Sequence, residues 1–493
     1  MALPPGIDPR TPVIVGAAQF LDAAGGTEPT ALAAQAVRRA EVDSGVGGLV
    51  ARADIVGVVP VVSWRYSDPA ALISAELGAT PKMRWYPAMG GNSPQRLVTR
   101  AAAAIADGDA DIAVVCGAES YRTRSADRKA GIRPDWTIQD DGAQPTWGDA
   151  QKLDMGHPAE IAHGIFMPTQ CYPLFENALR HQAGRSAEEH SRFIAELWEG
   201  FSAVAATNPH ALDRVAHRAE EIRTVTPTNR MIGFPYTKHM VSNPDLDAAS
   251  AVIITNAATA DAAGIARDRW VFIWSGTDGS DRLMSERTDF VSSAAMRVAG
   301  GAALELAGLS ASQVTHLDVY SCFPSAVEIA CAELGIDTGR QLTVGGGLCF
   351  AGGPWNNPVG HALATMVDVL RSDPGSTGLI TANGGIIQKH AFGVYSTEPA
   401  AGGFRHLTPQ FAIDSAGPAV TVVDDYRGSA TVETWTVMYE RDGSRARAHA
   451  ALRTPDGARC WGTIDDDVVM ASLELEDVVG VAAVRSADGS LAI

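Results

Sequence analysis

The chain has 493 residues, with 39 Lys and Arg against 57 Asp and Glu, so its formal net charge is −18. Hydrophobic residues make up 46% and charged residues 19%, which supplies sizeable cores and excludes a mostly disordered chain. The acidic balance argues against nucleic acid and anionic membranes as main partners, while leaving room for a local basic pocket.

Residues 11–19 are an apolar run closed by a glycine and read as a strand covered on both faces. A helix is expected over 29–43, opened by Thr27 or Thr30, and a second buried strand over 54–62. Gly90 and Gly91 precede Asn92, Ser93 and an alanine-rich helix to Ala106; Asn92 or Ser93 can cap it, and Pro94 suits its first turn. Residues 111–119 are another buried strand, and the strand, helix, strand order favours a parallel α/β sheet. From Tyr121 to Ser242 prolines, tryptophans and histidines gather, with amphipathic helices over 161–179 and 187–204. This stretch reads as an insertion over one end of the sheet. The α/β pattern returns at 248–255 as a helix-to-strand transition.

A second half starts near Arg269: a strand at 270–275, a helix over 289–307, a strand at 317–321 and a helix over 325–334. A glycine-rich loop at 343–358, a helix at 360–370 and strands at 378–382 and 391–396 follow. This order echoes the first half and reads as an internal repeat of folding units. After Ala400 the period becomes two. Segments 430–441, 445–454 and 458–464 alternate and are joined by turns at Asp442-Gly443 and Asp456-Gly457, an antiparallel meander read as a separate small barrel or sandwich.

The six cysteines form no C-x-x-C pair, so neither a zinc ribbon nor a redox motif is offered and reduced thiols are expected. Residues 1–10 carry three prolines and no apolar run, unlike a signal peptide. No stretch approaches the roughly 20 apolar residues of a membrane helix, and a soluble cytoplasmic protein is expected. His157 and His163 flank Glu160, but their spacing does not place both on one helix turn, and no metal is expected.

Four glycine-rich or polar clusters lie at ends of buried strands, where parallel sheets bind ligands: residues 90–93, 320–323, 345–361 and 382–390. With them the chain resembles the thiolase superfamily over residues 10–400. The most specific supports are Val319-Tyr-Ser-Cys-Phe323 and Gly346-Gly-Leu-Cys-Phe-Ala-Gly-Gly-Pro354, which look like the family's H-D-C-F (or N-E-A-F) and G-G-x-x-x-x-G-H-P motifs. The resemblance implies an α/β thiolase fold of two βαβαβαββ halves in a five-layered αβαβα sandwich, with a loop domain inserted in the first half. The expected boundaries are 1–120 and 243–268 for the first half, 121–242 for the insertion, 269–404 for the second half and 405–493 for an added antiparallel β domain. That extra domain resembles the actinobacterial thiolase-like proteins of type 1. The family transfers acyl groups to and from coenzyme A, so CoA or acyl-CoA is a possible ligand and no other cofactor is implied.

The departures from the family pattern concern its catalytic groups. The acyl-carrying cysteine falls on Gly91, and no cysteine lies between Met1 and Cys116. Ser93 is nearby, but a serine would need a general base. The activating histidine of G-H-P falls on Gly353, or on Asn357 in a second register; neither is a base, and His361 stands a few residues on. The H-D-C-F histidine becomes Tyr320, whose hydroxyl can still donate a hydrogen bond. Cys322 matches a cysteine that is not the acyl carrier. The C-x-G cysteine falls on Ala382, and Lys389 and His390 can reach back, with His390 as the candidate base. Lys238 and His239, where the insertion rejoins the core, are candidate ligand contacts, and Arg122, Arg124, Arg128 and Lys129 form a basic run.

Three functions compete. The chain is a thiolase-like member of the acyl-CoA acyltransferase family without thiolase chemistry, binding an acyl ligand at a vestigial pocket. Or it is an acyltransferase or retro-aldol enzyme using Tyr320 and His390. Or its β tail or insertion docks a partner such as an acyl carrier or a dehydratase-like subunit. A monomer is expected, since the added domain can cover assembly contacts.

Overall fold

A computed structural model describes residues 6–148 and 156–493; residues 1–5 of the N-terminal segment and residues 149–155 of the insertion lie outside the described residues. The first half contributes β1 (Pro12–Leu21), β2 (Ile55–Val58), β3 (Met83–Trp85) and β4 (Ile112–Ser120). The insertion carries β5 (Met231–Gly233) and β6 (Tyr236–Thr237), and β7 (Asp247–Asn256) returns to the first half. The second half adds β8 (Val271–Ser280), β9 (His316–Asp318), β10 (Thr377–Gly384), β11 (Lys389–Ser396) and β12 (Arg405–Leu407).

All of these strands except β5 and β6 form one ten-stranded sheet in the order β3-β2-β4-β7-β1-β8-β11-β10-β9, with β12 beside β8. In the first half β2 runs parallel to β4, and β7 antiparallel to β4 and β1. In the second half β9 runs parallel to β10, and β11 antiparallel to β10 and β8. The order β2-β4-β7-β1 is therefore repeated as β9-β10-β11-β8. The halves meet where Val13 and Ile14 pair with Phe272 and Val271. Helices Ser93–Asp107 and Pro358–Ser372 each touch strands of both halves, so the sheet folds around them. Helix Pro29–Asp43 covers the outer face of the first half and Gly301–Ala307 that of the second, which completes the αβαβα layering of a thiolase fold.

Local physics explains where the elements differ from the sequence reading. Segment 248–255 is strand throughout, because β7 lies inside the sheet between β1 and β4. The second strand ends at Val58, two residues before Pro60, and the chain then turns so that Glu119 accepts from Val62 N and Ser63 N. Helix 29–43 is preceded by Glu28, not capped by Thr27 or Thr30; the Glu28 carboxylate accepts from Tyr66 Oη and Thr137. The expected helix over 161–179 is two helices, Pro158–Ala162 and Pro168–Gln182, broken where Gly164 adopts φ +74 and Pro168 starts a new first turn. Helical structure after Asp289 begins only at residue 294, since Asp289 binds the preceding backbone N–H groups of Val291 and Ser292, and Asp281 accepts from Ala295 N in the first turn.

The β tail is not a separate body. Strands β13 (Gly428–Tyr439), β14 (Arg445–Arg453), β15 (Arg459–Ile464), β16 (Ala482–Arg485) and β17 (Leu491–Ala492) form a seven-stranded sheet with β5 and β6 of the insertion. It curls so that Thr463 of β15 bridges Ser490 beside β17. Residues 405–407, read as the start of the tail, still belong to the main sheet. Buried side chains tie the tail down. Arg459 binds Glu433 and the carbonyls of Met284, Ser285 and Arg287, Trp461 Nε1 donates to Ser285 Oγ (2.8 Å), and Asn177 Nδ2 donates to the carbonyls of Phe234 and Trp435.

Candidate functional site

Gly90, Gly91 and Asn92 form the approach to helix Ser93–Asp107, at the level of the C-terminal end of β10. Gly91 is the position onto which the sequence resemblance maps the family's nucleophile. A Cβ built there would lie 2.3 Å from Tyr320 Oη and 2.5 Å from the Asn383 carbonyl oxygen. Both are far inside van der Waals contact, so the space a cysteine side chain would need is filled. Asn92 occupies the N-cap position without a side-chain capping bond, and Ser93 Oγ donates to the Ala88 carbonyl (3.1 Å). Ser93 is thereby tied to the backbone, and among the described residues its hydroxyl has no hydrogen bond to a base.

Tyr320 and Cys322 follow β9, on the chain that leads into helix Pro324–Leu334. Burial, with the nearby Cys322, raises the Tyr320 hydroxyl well above its ordinary range, so it stays protonated and acts as a donor. Burial pushes the Cys322 thiol up to about 12, which leaves no thiolate at neutral pH. Tyr172 Oη accepts from Asn383 Nδ2 (3.0 Å) and from Ile387 N (3.4 Å). Tyr172 also stacks on Phe323. Asn383 Oδ1 is buried without a partner. Tyr172 is not among the sequence-based candidates, and Asn383 is there only as a member of the 382–390 cluster. Asn383 follows Ala382 in the C-x-G alignment and is the residue that motif reasoning could have found; Tyr172 lies in the insertion, where no motif points to it.

The two registers for the activating histidine separate cleanly. A Cβ at Gly353 would lie 2.0 Å from Ser242 Oγ, so any side chain there would require Ser242 to turn away. Asn357 stands at the N-cap of the second central helix, mirroring Asn92 on the first. Its carboxamide is engaged with Ser250 Oγ. Its neighbour Asn356 accepts from Gly90 N (3.0 Å) and donates to the Pro60 carbonyl (3.0 Å). His361 does not join this group: its Nδ1 meets Gln19 Oε1 (3.1 Å) on β1.

Ala382 is buried in β10 and pairs with Ala391. His390 is buried next to Asn383 on the paired strand, with Asp281 Oδ2 at 3.9 Å and the carbonyls of Ile387 and Ala382 against its ring. Burial lowers its pKa to about 4, so the ring is neutral at neutral pH. Tyr320 is not among its hydrogen-bond partners. Lys389 does reach back: its Nζ donates to the Met89 carbonyl (3.2 Å), next to Gly90.

Lys238 is exposed on a short turn, and His239 lies against His217 with ring centres 4.8 Å apart and the planes tilted by 44°. Their neighbours are Asn229, Arg230 and Cys349, none of which touches Gly91. In the basic run, Arg122 binds the Asp22 and Ala23 carbonyls and Asp247, Arg124 pairs with Asp127, and Arg128 and Lys129 are exposed. His157 and Glu160 form a capping box for helix Pro158–Ala162 and serve its structure.

Among the described residues one three-membered group has the spacing of a metal site: Glu176, His190 and Glu328, with ligand atoms within 4.8 Å of one another. Three helices bring it together, which is why no local spacing announces it. His190 Nε2 donates to Glu176 Oε1 (2.5 Å), Tyr236 Oη donates to Glu176 Oε2, and Arg185 donates to His190 Nδ1 (3.3 Å). An arginine only donates, so Nδ1 accepts. A cation on Nε2 would turn Nδ1–H against the guanidinium. Arg185 supplies the positive charge, and the group reads as an ion-pair network.

Residues 410–490 match the family described as "Thiolase-like protein type 1 additional C-terminal domain". No curated protein matches the chain. Over 99% of its length it is similar to a crystal structure of a monomeric SCP2-thiolase like protein type 1 from Mycobacterium smegmatis, covering 100% of that chain at 29% identity and TM-score 0.84. An acetyl-CoA acetyltransferase from Syntrophomonas wolfei aligns with 79% of this chain and 100% of its own, at 17% identity and TM-score 0.56. The Ltp2-ChsH2(DUF35) aldolase aligns with 78% and 98%, at 19% identity and TM-score 0.58. The last two relationships show the fold.

Proposed function

We propose that this thiolase-fold chain, which carries the additional C-terminal domain of thiolase-like protein type 1, is a member of the acyl-CoA acyltransferase family that does not run the cysteine-dependent thiolase reaction. The observation that carries the reading is Gly91, whose side-chain space is taken by the Tyr320 hydroxyl and the Asn383 carbonyl. Thiolase chemistry needs a thiolate at a helix N-terminus and a base beside it. Here the thiolate position is filled, and Asn357 and Ser93 are engaged with other protein groups. The test is acetoacetyl-CoA thiolysis and the reverse condensation, with calorimetric titration of CoA and acetyl-CoA on the same sample. We expect no turnover above background. Turnover lost in both Tyr320→Phe and His390→Ala would reject the reading in favour of altered chemistry at those residues. Heat of binding without turnover would support an acyl-CoA pocket kept without its chemistry.

The chain is further proposed to be a monomer. Edge strand β3 has an open side in a bare sheet, and open edges invite pairing with a second copy. In this chain Thr146 and Trp147 of the insertion occupy it: Trp147 bridges Trp85, Thr146 N donates to the Arg84 carbonyl (2.8 Å), and Tyr86 N donates to the Trp147 carbonyl (2.9 Å). Arg100 lies over both tryptophan rings. The similar Mycobacterium smegmatis protein is described as monomeric. Sedimentation equilibrium should return the mass of a single chain at micromolar concentration, and a two-chain mass would show that the covered edge does not prevent pairing.

A further inference from the structure

A cleft separate from the group around Gly91 opens where β1, the end of helix Ala187–Thr207, the glycine-rich loop and the second central helix meet. Its volume is about 40 Å³. A water needs roughly 10–15 Å³ by this measure, so the space holds about three waters or a two- to three-carbon polar molecule. Its polar lining comes from Gln19, Asn208, His210, Asp318, His361 and Thr365. It shares no lining residue with Gly91, Tyr320, Cys322 or Asn383.

The hydrogen-bond order around His361 determines what the cleft can accept. Thr365 Oγ1 donates its one proton to the His361 carbonyl (3.2 Å). It therefore accepts from Gln19 Nε2 (2.7 Å), which turns Gln19 Oε1 towards His361 Nδ1 at 3.1 Å. Oε1 only accepts, so Nδ1 carries the ring proton and Nε2 keeps a lone pair. That Nε2 is buried and has no protein partner. A buried acceptor without a partner is rare in proteins and calls for a donor. Asp318 adds a second acceptor. One of its oxygens, Oδ2, takes Thr343 Oγ1, Val344 N and Gly345 N at 2.9, 3.1 and 3.2 Å. Those contacts leave Oδ1 for a ligand. No lysine or arginine lines the cleft, so nothing in it recruits an anion.

We propose that this cleft binds the hydroxyl end of a small uncharged alcohol or diol, which donates to His361 Nε2. Gln19 and Thr365 are positioning residues that hold the tautomer. The proposal is independent of the reading of the Gly91 site.

The test uses full-length protein labelled with nitrogen-15 histidine. Ethylene glycol and glycerol are titrated to 100 mM (on the order of a weak fragment's Kd), with acetate as the anionic control. The expected result is a saturable shift of the His361 Nε2 resonance towards that of a hydrogen-bonded acceptor with either alcohol, and none with acetate. His361→Phe assigns the signal. Thr365→Val frees the Gln19 amide to flip and should weaken alcohol binding about tenfold, the equivalent of about 1.4 kcal/mol. A Nε2 resonance unmoved by either alcohol would mean that water alone fills the cleft and would overturn the proposal. An equal shift with acetate would overturn the assignment to an uncharged alcohol. Thiolysis assays on the same sample keep this outcome distinct from that of the Gly91 site.

Discussion

Gly91→Cys is expected to give a protein that still lacks thiolysis and is less stable by about 2–3 kcal/mol, the usual cost of overfilling a packed interior. The new Cβ meets two atoms of different kinds. Tyr320 Oη ends a side chain that can rotate away, whereas the Asn383 oxygen belongs to the backbone of β10 and cannot. The double variant Gly91→Cys with Tyr320→Ala should therefore recover only part of the loss. A cysteine seated there would face the N-terminus of helix Ser93–Asp107, which favours thiolate. It would still lack a base, because Asn357 is engaged with Ser250 and His361 belongs to another cleft. Urea unfolding and acetoacetyl-CoA thiolysis on the three proteins check the prediction. An unchanged midpoint together with measurable turnover would show that both room and a base are present.

Glu176→Ala should be the more damaging change, costing about 3–5 kcal/mol, since it strips one partner from a buried charged network. It leaves His190 Nε2 and Tyr236 Oη without the carboxylate they converge on, between the insertion and helix Pro324–Leu334 of the second half, where Arg185 pairs with Glu328. Glu328→Gln should be far milder. Burial, and then the charge of Glu176, raises the Glu328 carboxyl well above 4.5, so it is held protonated and an amide imitates it.

The pH dependence separates the two partners. A carboxyl raised in the folded state binds its proton more tightly than the unfolded chain does, so its contribution is complete below pH 4.5 and is lost as pH rises through the folded value. His190 has the opposite sign: burial lowers it from 6.5 to about 4, so its contribution is present above pH 6.5 and is lost as pH falls towards 4. Buried His361, His390 and His449, lowered to about 3, 4 and 4, steepen that acid limb. Wild-type stability should therefore lose the histidine contributions as pH falls below 6.5. Glu328→Gln should reduce only the opposite loss, which sets in as pH rises above 4.5 and is shared with buried Glu119 and Asp318, raised to about 7 and about 6. A loss on raising the pH that is unchanged in Glu328→Gln would show that the Glu328 carboxyl is not its source.

The local pattern was enough for much of the fold. Continuous apolar runs in β1, β4 and β10 marked strands covered on both faces, and the Asn-Ser-Pro start of helix Ser93–Asp107 marked its first turn. The repeat of order in the two halves and the absence of cysteine before Cys116 were also legible in the chain. Periodicity failed where a neighbour overruled it. The alanines of β7 suit a helix, yet β1 and β4 on either side satisfy its backbone as strand. The alternation of the β tail was correct in its strands, but two short strands more than 190 residues earlier complete the sheet.

The composition and order of the sequence by themselves determined the α/β repeat and the absence of any cysteine before Cys116. Only the tertiary structure decided that Gly91 faces Tyr320, that Asn357 rather than Gly353 heads the second central helix, that His361 belongs with Gln19, and that Glu176, His190 and Glu328 converge. The physical reason is range. Strand and helix signals arise between residues a few positions apart, whereas these sites join residues from 14 positions apart (Glu176 and His190) to 342 apart (His361 and Gln19), brought together only by packing.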